Sequence, residues 1–292
     1  MILSPRRSPI TPICLPCHHT TERSRSNVTF LSEARLIHLN GGIDVLRAVN
    51  TPNRLGIEIS GDVEDFHILY DALSKLAGDE DKWPYLEEAR LRILAVCYDL
   101  RHALQGHYEV QTYDNGLLPE IIRSRGRLGP RENIRFAFKI LYPEAMFVAA
   151  ALNDFLFIYQ GPHGESIASR QPADQMDLNI VYGRYFQALV LRCAEEITSK
   201  SGFKRLRNAM NTQFPWTYQY FSQYLDYLDE EFVRKRPERR GVILPTLVER
   251  MTSKGPEYQE VVRSIREFAD EHGCEPGKVS FVDEIDWDNL EW

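Results

Sequence analysis

The segment from Pro84 to Gln105 constrains the fold more than any other. Pro84 suits the first position of a helix, where a missing amide costs nothing, and Gly106 is a natural stop. Between them, Leu86, Ala89, Ile93, Cys97, Leu100 and Leu104 form one apolar stripe at helical spacing. Leu91, Leu94, Ala95 and Tyr98 form a second stripe beside it, leaving only Glu88, Arg92 and Asp99 as a narrow polar face. A helix so apolar around its girth is expected at the centre of the molecule.

The flanking pattern supplies strands. Ile43–Val49 has strand character, Thr51-Pro52-Asn53 is a turn signal, and Leu55–Ser60 alternates at period two. This predicts a hairpin with Leu55, Ile57 and Ile59 on the core side. A helix follows, with Val63, Phe66, Tyr70, Leu73 and Ala77 as its stripe and Gly78 as its end. Tyr108–Tyr113 and Arg135–Leu141 alternate again, separated by a basic, Gly- and Pro-punctuated loop over 123–133. Pro143 then opens an apolar helix, Glu144–Tyr159, interrupted by Asn153 and Asp154. Helices are predicted over Asp174–Thr198, Gly202–Met210, Tyr218–Arg234, Leu247–Met251 and Tyr258–Glu271. The order predicts an α+β chain, helix-dominated, with a small, mostly antiparallel sheet in the N-terminal half and a helical C-terminal half. Residues 35–273 are expected to form one globular domain, its sheet-containing part at 35–160 and its helical part at 173–273. Residues 1–34 are expected to be a disordered leader and 274–292 an acidic tail.

Composition excludes several classes. With 43% hydrophobic and 26% charged residues among 292, the chain is neither disordered throughout nor collagenous. No apolar run reaches eighteen residues, so no membrane span is expected. The formal charge of −7 makes nucleic acid a poor default partner for the chain as a whole. The five cysteines are odd in number and scattered, which fits thiols of a reducing, cytoplasmic compartment. Cys14-Leu15-Pro16-Cys17-His18 matches the c-type haem attachment pattern, but haem attachment requires export and no secretory h-region is visible. Adjacent His18 and His19 would crowd a zinc site, and no second ligand cluster follows. No cofactor and no metal is expected. Glu58, Asp62, Asp65 and His67 bracket a strand–helix junction but read better as a solvated strand face and a helix cap. Walker A, GxGxxG, HExxH and GxSxG are absent from 35–292.

The strongest chemical constellation lies at the end of the Pro84–Gln105 helix. Tyr98, Arg101, His102 and Gln105 stand at i, i+3, i+4 and i+7, on one side. The second apolar stripe would turn them inward, so a polar network or a ligand cavity is expected around them. A half-buried histidine beside an arginine should have a lowered pKa and can act as a neutral base. These four residues are the expected ligand-binding set.

Two resemblances attach to this segment. Leu55-Gly56-Ile57-Glu58-Ile59-Ser60-Gly61-Asp62, Cys97–Gly106 and Leu141-Tyr142-Pro143-Glu144 together resemble a bacterial family known only as a domain of unknown function. Its Tyr-Asp-x-Arg-His-Ala-x-Gln-Gly core falls on Tyr98–Gly106, and the likeness spans about residues 50–160. The resemblance implies a bacterial protein and supplies no activity. Arg101 and His107, with five residues between them, also resemble the Arg-x(4–6)-His motif of HEPN-type ribonucleases. That resemblance implies Arg101, with His102 or His107, as catalytic residues of a metal-independent ribonuclease, acting across a dimer. The first reading is a protein- or ligand-binding module and the second an enzyme. Oligomeric state stays open.

Two further surfaces bear on partners. Arg234-Lys235-Arg236-Pro237-Glu238-Arg239-Arg240 is a basic cluster that could meet phosphates, or serve as ordinary dipole partners of a helix C-terminus. Asp283–Trp292 alternates acids with bulky apolar groups: exposed it is a docking peptide for a protein partner, folded back it is a strap.

Overall fold

A computed structural model describes residues 12–14, 46–80, 82–114, 132–159, 176–211, 220–281 and 285–292. Within them a four-stranded antiparallel sheet takes the order β2-β3-β5-β4, from β2 (Arg47–Asn50), β3 (Gly56–Gly61), β4 (Glu109–Asp114) and β5 (Glu132–Leu141). Eight helices are described: α1 (Val63–Ala77), α2 (Glu87–Leu104), α3 (Tyr142–Ile158), α4 (Leu178–Ile197), α5 (Lys200–Ala209), α6 (Phe221–Val233), α7 (Pro237–Met251) and α8 (Pro256–His272). The chain is thus helix-dominated, with its small sheet in the N-terminal half.

The sheet forms where the alternation lies. Ile57 and Ile59 of β3 are buried and pair with Ile140 and Phe138 of β5. The two strands approach closely at Gly56, where a Cβ would sit 2.0 Å from the Ile140 carbonyl oxygen. The turn after β2 is closed by Thr51, whose Oγ1 accepts from the Gly56 amide at 3.1 Å. β5 runs straight into α3 at Tyr142, whose amide donates to Leu55 O at 3.1 Å. Asp62 and Asp65 form a reciprocal capping box at the start of α1. The Glu58–His67 junction is therefore cap and strand, as its spacing predicts. The stripe of α1 differs in part: Val63 is exposed, Tyr70 is half-buried, and Leu69, Ala72 and Leu76 join the buried face.

The central helix is α3, not α2. Thirteen of the seventeen residues of α3 are buried, and it packs against α1, α2, α4, α6, α7 and the sheet. α2 buries one face, Ala89, Ile93, Val96, Cys97, Leu100 and Ala103, against α1, α3, α6 and β5. Its second stripe stays at the surface, with Leu91, Ala95 and Tyr98 exposed. Helix α3 is apolar through eight consecutive residues, Ala145–Leu152, so it offers no polar face to water.

The C-terminal helices follow their predicted places, except that α7 begins ten residues early. Pro237 occupies its first turn and Pro245 lies inside it. Gly241 lets α7 approach α4, since a Cβ there would lie 2.0 Å from Ile197 O. Pro12–Cys14, within the expected leader, forms β1 and pairs antiparallel with β6 (Val279–Phe281). Cys17, His18 and His19 lie outside the described residues, as does most of the basic loop. Buried residues from Leu46 to Val279 make one hydrophobic cluster. None of the described helices is long and apolar enough to cross a membrane.

Candidate functional site

The end of α2 is shaped by its stop signal. Gly106 takes φ +74°, a left-handed conformation that glycine adopts without steric cost. The His107 amide then bonds to His102 O at 3.1 Å and the Gly106 amide to Ala103 O at 2.9 Å. This is the double bond of a Schellman motif, which folds the residue after the glycine back over the last turn. In most such motifs the two residues brought together make an apolar contact. Here they are two histidines, with His107 Nδ1 2.8 Å from His102 Nδ1. A hydrogen bond on that line needs one imidazole to donate and the other to accept, the tautomers deciding which.

The neighbours extend the pair into a surface. The Tyr98 ring lies against His102 with centroids 3.9 Å apart, and the Arg101 guanidinium carbon is 5.4 Å from the Tyr98 ring centre. Tyr108 Oη donates to Asp99 Oδ1 at 2.7 Å, and burial pushes the Asp99 carboxyl up while that bond opposes the shift. Desolvation, His107 and Arg101 together hold the His102 imidazole below its usual range, so it is neutral at neutral pH. The lowered value is as the sequence predicts, but the location is not. Tyr98 is 51% exposed, Arg101, Gln105 and His107 are exposed, and His102 is half-buried. The four expected binding residues line an open face because the packing partners of α2 cover only its other side. The second imidazole, His107, joins His102 through the Schellman turn rather than through helical spacing.

A second polar cluster is closed. Glu88 of α2 accepts from the amides of Tyr220 at 3.1 Å and Ser222 at 2.8 Å, capping α6. One turn on, Arg92 bonds Glu144 of α3, Ser222 Oγ at 2.6 Å and Asp226 Oδ1 at 2.6 Å. Asp229, one turn along α6, is 4% exposed, and its Oδ1 has no hydrogen-bond partner among the described residues. Burial raises the Glu144 and Asp229 carboxyls, Asp229 well above the usual range; Glu144 pushes Asp229 further up, whereas the Arg92 charge and a hydrogen bond with Asp229 pull Glu144 back down. Burial also opposes the charge of Arg92, but Glu144 and Asp226 more than offset it. Glu144, Asp226 and Asp229 each bring an oxygen within 4.8 Å of the others, the group among the described residues best suited to a cation. Arg92 already supplies positive charge there. Sequence reading gave Glu88 and Arg92 only as a leftover polar face; their i, i+4 spacing opposite Asp226 and Asp229 at i, i+3 was the available signal.

The remaining candidates are tied into the fold. Arg234 pairs with Glu230 and Lys235 with Glu231, while Arg240 is buried and donates to Asn53 O at 2.7 Å and Val233 O at 3.0 Å. Only Arg236 and Arg239 of the basic cluster stand exposed without a described bond to an acid. The end of the tail folds back: Leu290 and Trp292 pack on the core, Asn53 Nδ2 donates to Glu291 O at 3.4 Å, and Trp287 stays 41% exposed. Cys97 and Cys193 are buried thiols, pushed up to about 12 and about 11 by desolvation, and so poor nucleophiles.

A family model described as a domain of unknown function, DUF6904, matches residues 46–292. The match takes in the helical half as well as the 50–160 stretch. No curated protein matches the chain, and no solved structure does.

Proposed function

Because the chain belongs to the DUF6904 family, whose description carries no activity, we propose its function from the chemistry of the site alone. The chain is a binding module whose α2 end takes a phosphate-bearing ligand, of which single-stranded RNA is the best-fitting class. The observation that carries this is the exposed group of Arg101, Tyr98 and the His102–His107 pair. Arg101 supplies a fork of donors for a phosphate, Tyr98 a face on which a base or sugar can stack, and Gln105 a donor and acceptor beside them. The partner reading for Asp283–Trp292 is secondary to this, since Leu290 and Trp292 already have apolar contacts in cis.

The 2.8 Å imidazole pair favours a second reading, metal-independent cleavage of the bound RNA. Two histidines sharing one proton can serve as base and acid in a phosphodiester transfer, with Arg101 balancing the developing charge. A bacterial, cytoplasmic setting is consistent with both readings.

The test is fluorescence anisotropy of a labelled single-stranded RNA with wild type, Arg101→Ala and Tyr98→Ala, followed by gel analysis in EDTA. We expect each variant to weaken binding at least tenfold. Equal affinity in all three would overturn the binding site. If cleavage occurs, its acid limb should fall below pH 6.5, because His102 must be neutral to accept a proton and its pKa is depressed. RNA that is bound but intact at high protein concentration would sink the nuclease reading and keep the module.

A further inference from the structure

Asn153, one of two polar residues breaking the apolar run of α3, opens on a cavity of about 260 Å³ between α3, α4 and α5. Arg184 of α4 and Arg207 of α5 converge on it, with Gln187, Asn211 and Met210 around them. Arg184 Nη1 donates to Asn153 Oδ1 at 2.7 Å and to Gln187 Oε1 at 2.9 Å. Gln187 is 6% exposed and is itself pinned, its Nε2 donating to Ala149 O at 2.5 Å and to Asn153 Oδ1 at 3.1 Å. Asn153 Nδ2 donates to Met210 O at 3.2 Å. Two amides thus orient one guanidinium without neutralising it.

Arg184 and Arg207 are exposed at the mouth of the cavity, and the hold on Arg184 differs from that on Arg92, Arg250 and Arg90. Arg92 has Glu144 and Asp226, Arg250 has Glu231 and Glu257, and Arg90 has Glu87. Among the described residues no carboxylate lines the cavity, and neither Arg184 nor Arg207 forms an ion pair. Neutral amides orient the Arg184 guanidinium without cancelling its charge, so that charge and its remaining N–H groups can meet a ligand in the cavity. Burial alone, with no opposing acid, depresses the Arg184 guanidinium.

We infer that this cavity is a binding site for a small oxyanion, a carboxylate or phosphate group gripped between Arg184 and Arg207. Planar guanidinium forks match the oxygens of either group. The volume lies below that of most drug-sized pockets, which fits the anionic end of a small metabolite rather than a polymer. Leu191 and Met210 give the non-ionic part of such a ligand an apolar wall.

The experiment is isothermal titration of the full chain with inorganic phosphate and, separately, with malonate, at constant ionic strength set by chloride. Wild type should bind at least one of the two at millimolar concentration or tighter, and the better probe identifies the class. Arg184→Gln and Arg207→Gln should each weaken binding at least tenfold, while Arg263→Gln, at an exposed position of α8 outside both sites, should leave it unchanged. Failure of both probes at 10 mM (about ten times a millimolar Kd) would overturn the site. So would equal binding by both cavity variants, or loss confined to Arg101→Ala, which would assign the anion to the α2 end.

Discussion

The two ends of α2 carry similar residues and do opposite things with them. Toward its start, Glu88 and Arg92 face α3 and α6, and their donors and acceptors are matched by Tyr220, Ser222, Glu144 and Asp226. Toward its end, Arg101, His102 and His107 face water, and no carboxylate neutralises them in the described contacts. Charges satisfied within the chain hold helices together. Charges left unmatched at a surface hold nothing, and keep their bonding capacity for a ligand. The difference can be broken or sharpened by substitutions along this one helix and at the tail.

The largest effect belongs to Arg92→Leu. Removing one member of a buried ion network leaves Glu144 and Asp229 without their cation and costs on the order of 3–5 kcal/mol. Unfolding entropy for a chain of this length makes that roughly 5–8 °C in Tm, read by calorimetry. A fall under about 2 °C would mean that the network is ornamental, and the contrast between the two ends would collapse.

Next is the tail. A chain ending at Asn289 loses the packing of Leu290 and Trp292 on the core. Partial burial of those two side chains is worth about 1–2 kcal/mol, or roughly 2–3 °C. An unchanged Tm would show that the strap does not hold its seat, and would return Asp283–Trp292 to the role of docking peptide.

A smaller and pH-dependent effect is expected for Asp229→Asn. Glu144 and Asp229 have raised pKa values, so the folded state holds protons more tightly than the unfolded one. Their contribution to stability is therefore greatest in acid. It declines as pH rises from the ordinary carboxylate range, about 4, through the raised folded values. An amide at 229 mimics the protonated acid at every pH. The variant should match wild type near pH 5 and melt about 2 °C higher at pH 8. A parallel shift at both pH values would show that the carboxyls do not share a proton.

Much of this was legible in the sequence, for physical reasons that also set the limits. Period-two alternation over Leu55–Ser60 and Arg135–Leu141 gave β3 and β5, because a half-covered sheet must sort its side chains by face. Pro84 and Gly106 bracketed α2 because both act through local sterics. Its burial was misread because Leu91, Ala95 and Tyr98 are apolar by type, whereas burial depends on which neighbours arrive. The short prediction Leu247–Met251 lengthened to Pro237–Met251 because packing against α3, α5 and α6 overrides the weak propensity of an arginine-rich stretch containing Pro245. At the site, Tyr98, Arg101 and His102 follow from helical spacing. The partnership of His102 with His107 does not, since it requires the turn at Gly106. The acid trio was invisible because Glu144 lies more than eighty residues from Asp226 and Asp229 along the chain.

The smallest expected effect is the most discriminating. His102→Ala removes an imidazole whose described contacts are the Tyr98 and Tyr108 rings and His107, all on the exposed face. Surface changes of this kind stay within about 0.5 kcal/mol, under about 1 °C here. Removing a group whose folded pKa is depressed also removes a proton-linked loss of stability below the ordinary histidine range, so the variant should gain relative to wild type as pH falls toward 5. A drop of several degrees at pH 7 would instead make His102 a structural member of the helix end, pinning β4 through His107 and Tyr108. The open end of α2 would then resemble the closed one, and the search for ligand chemistry would move to Arg184 and Arg207.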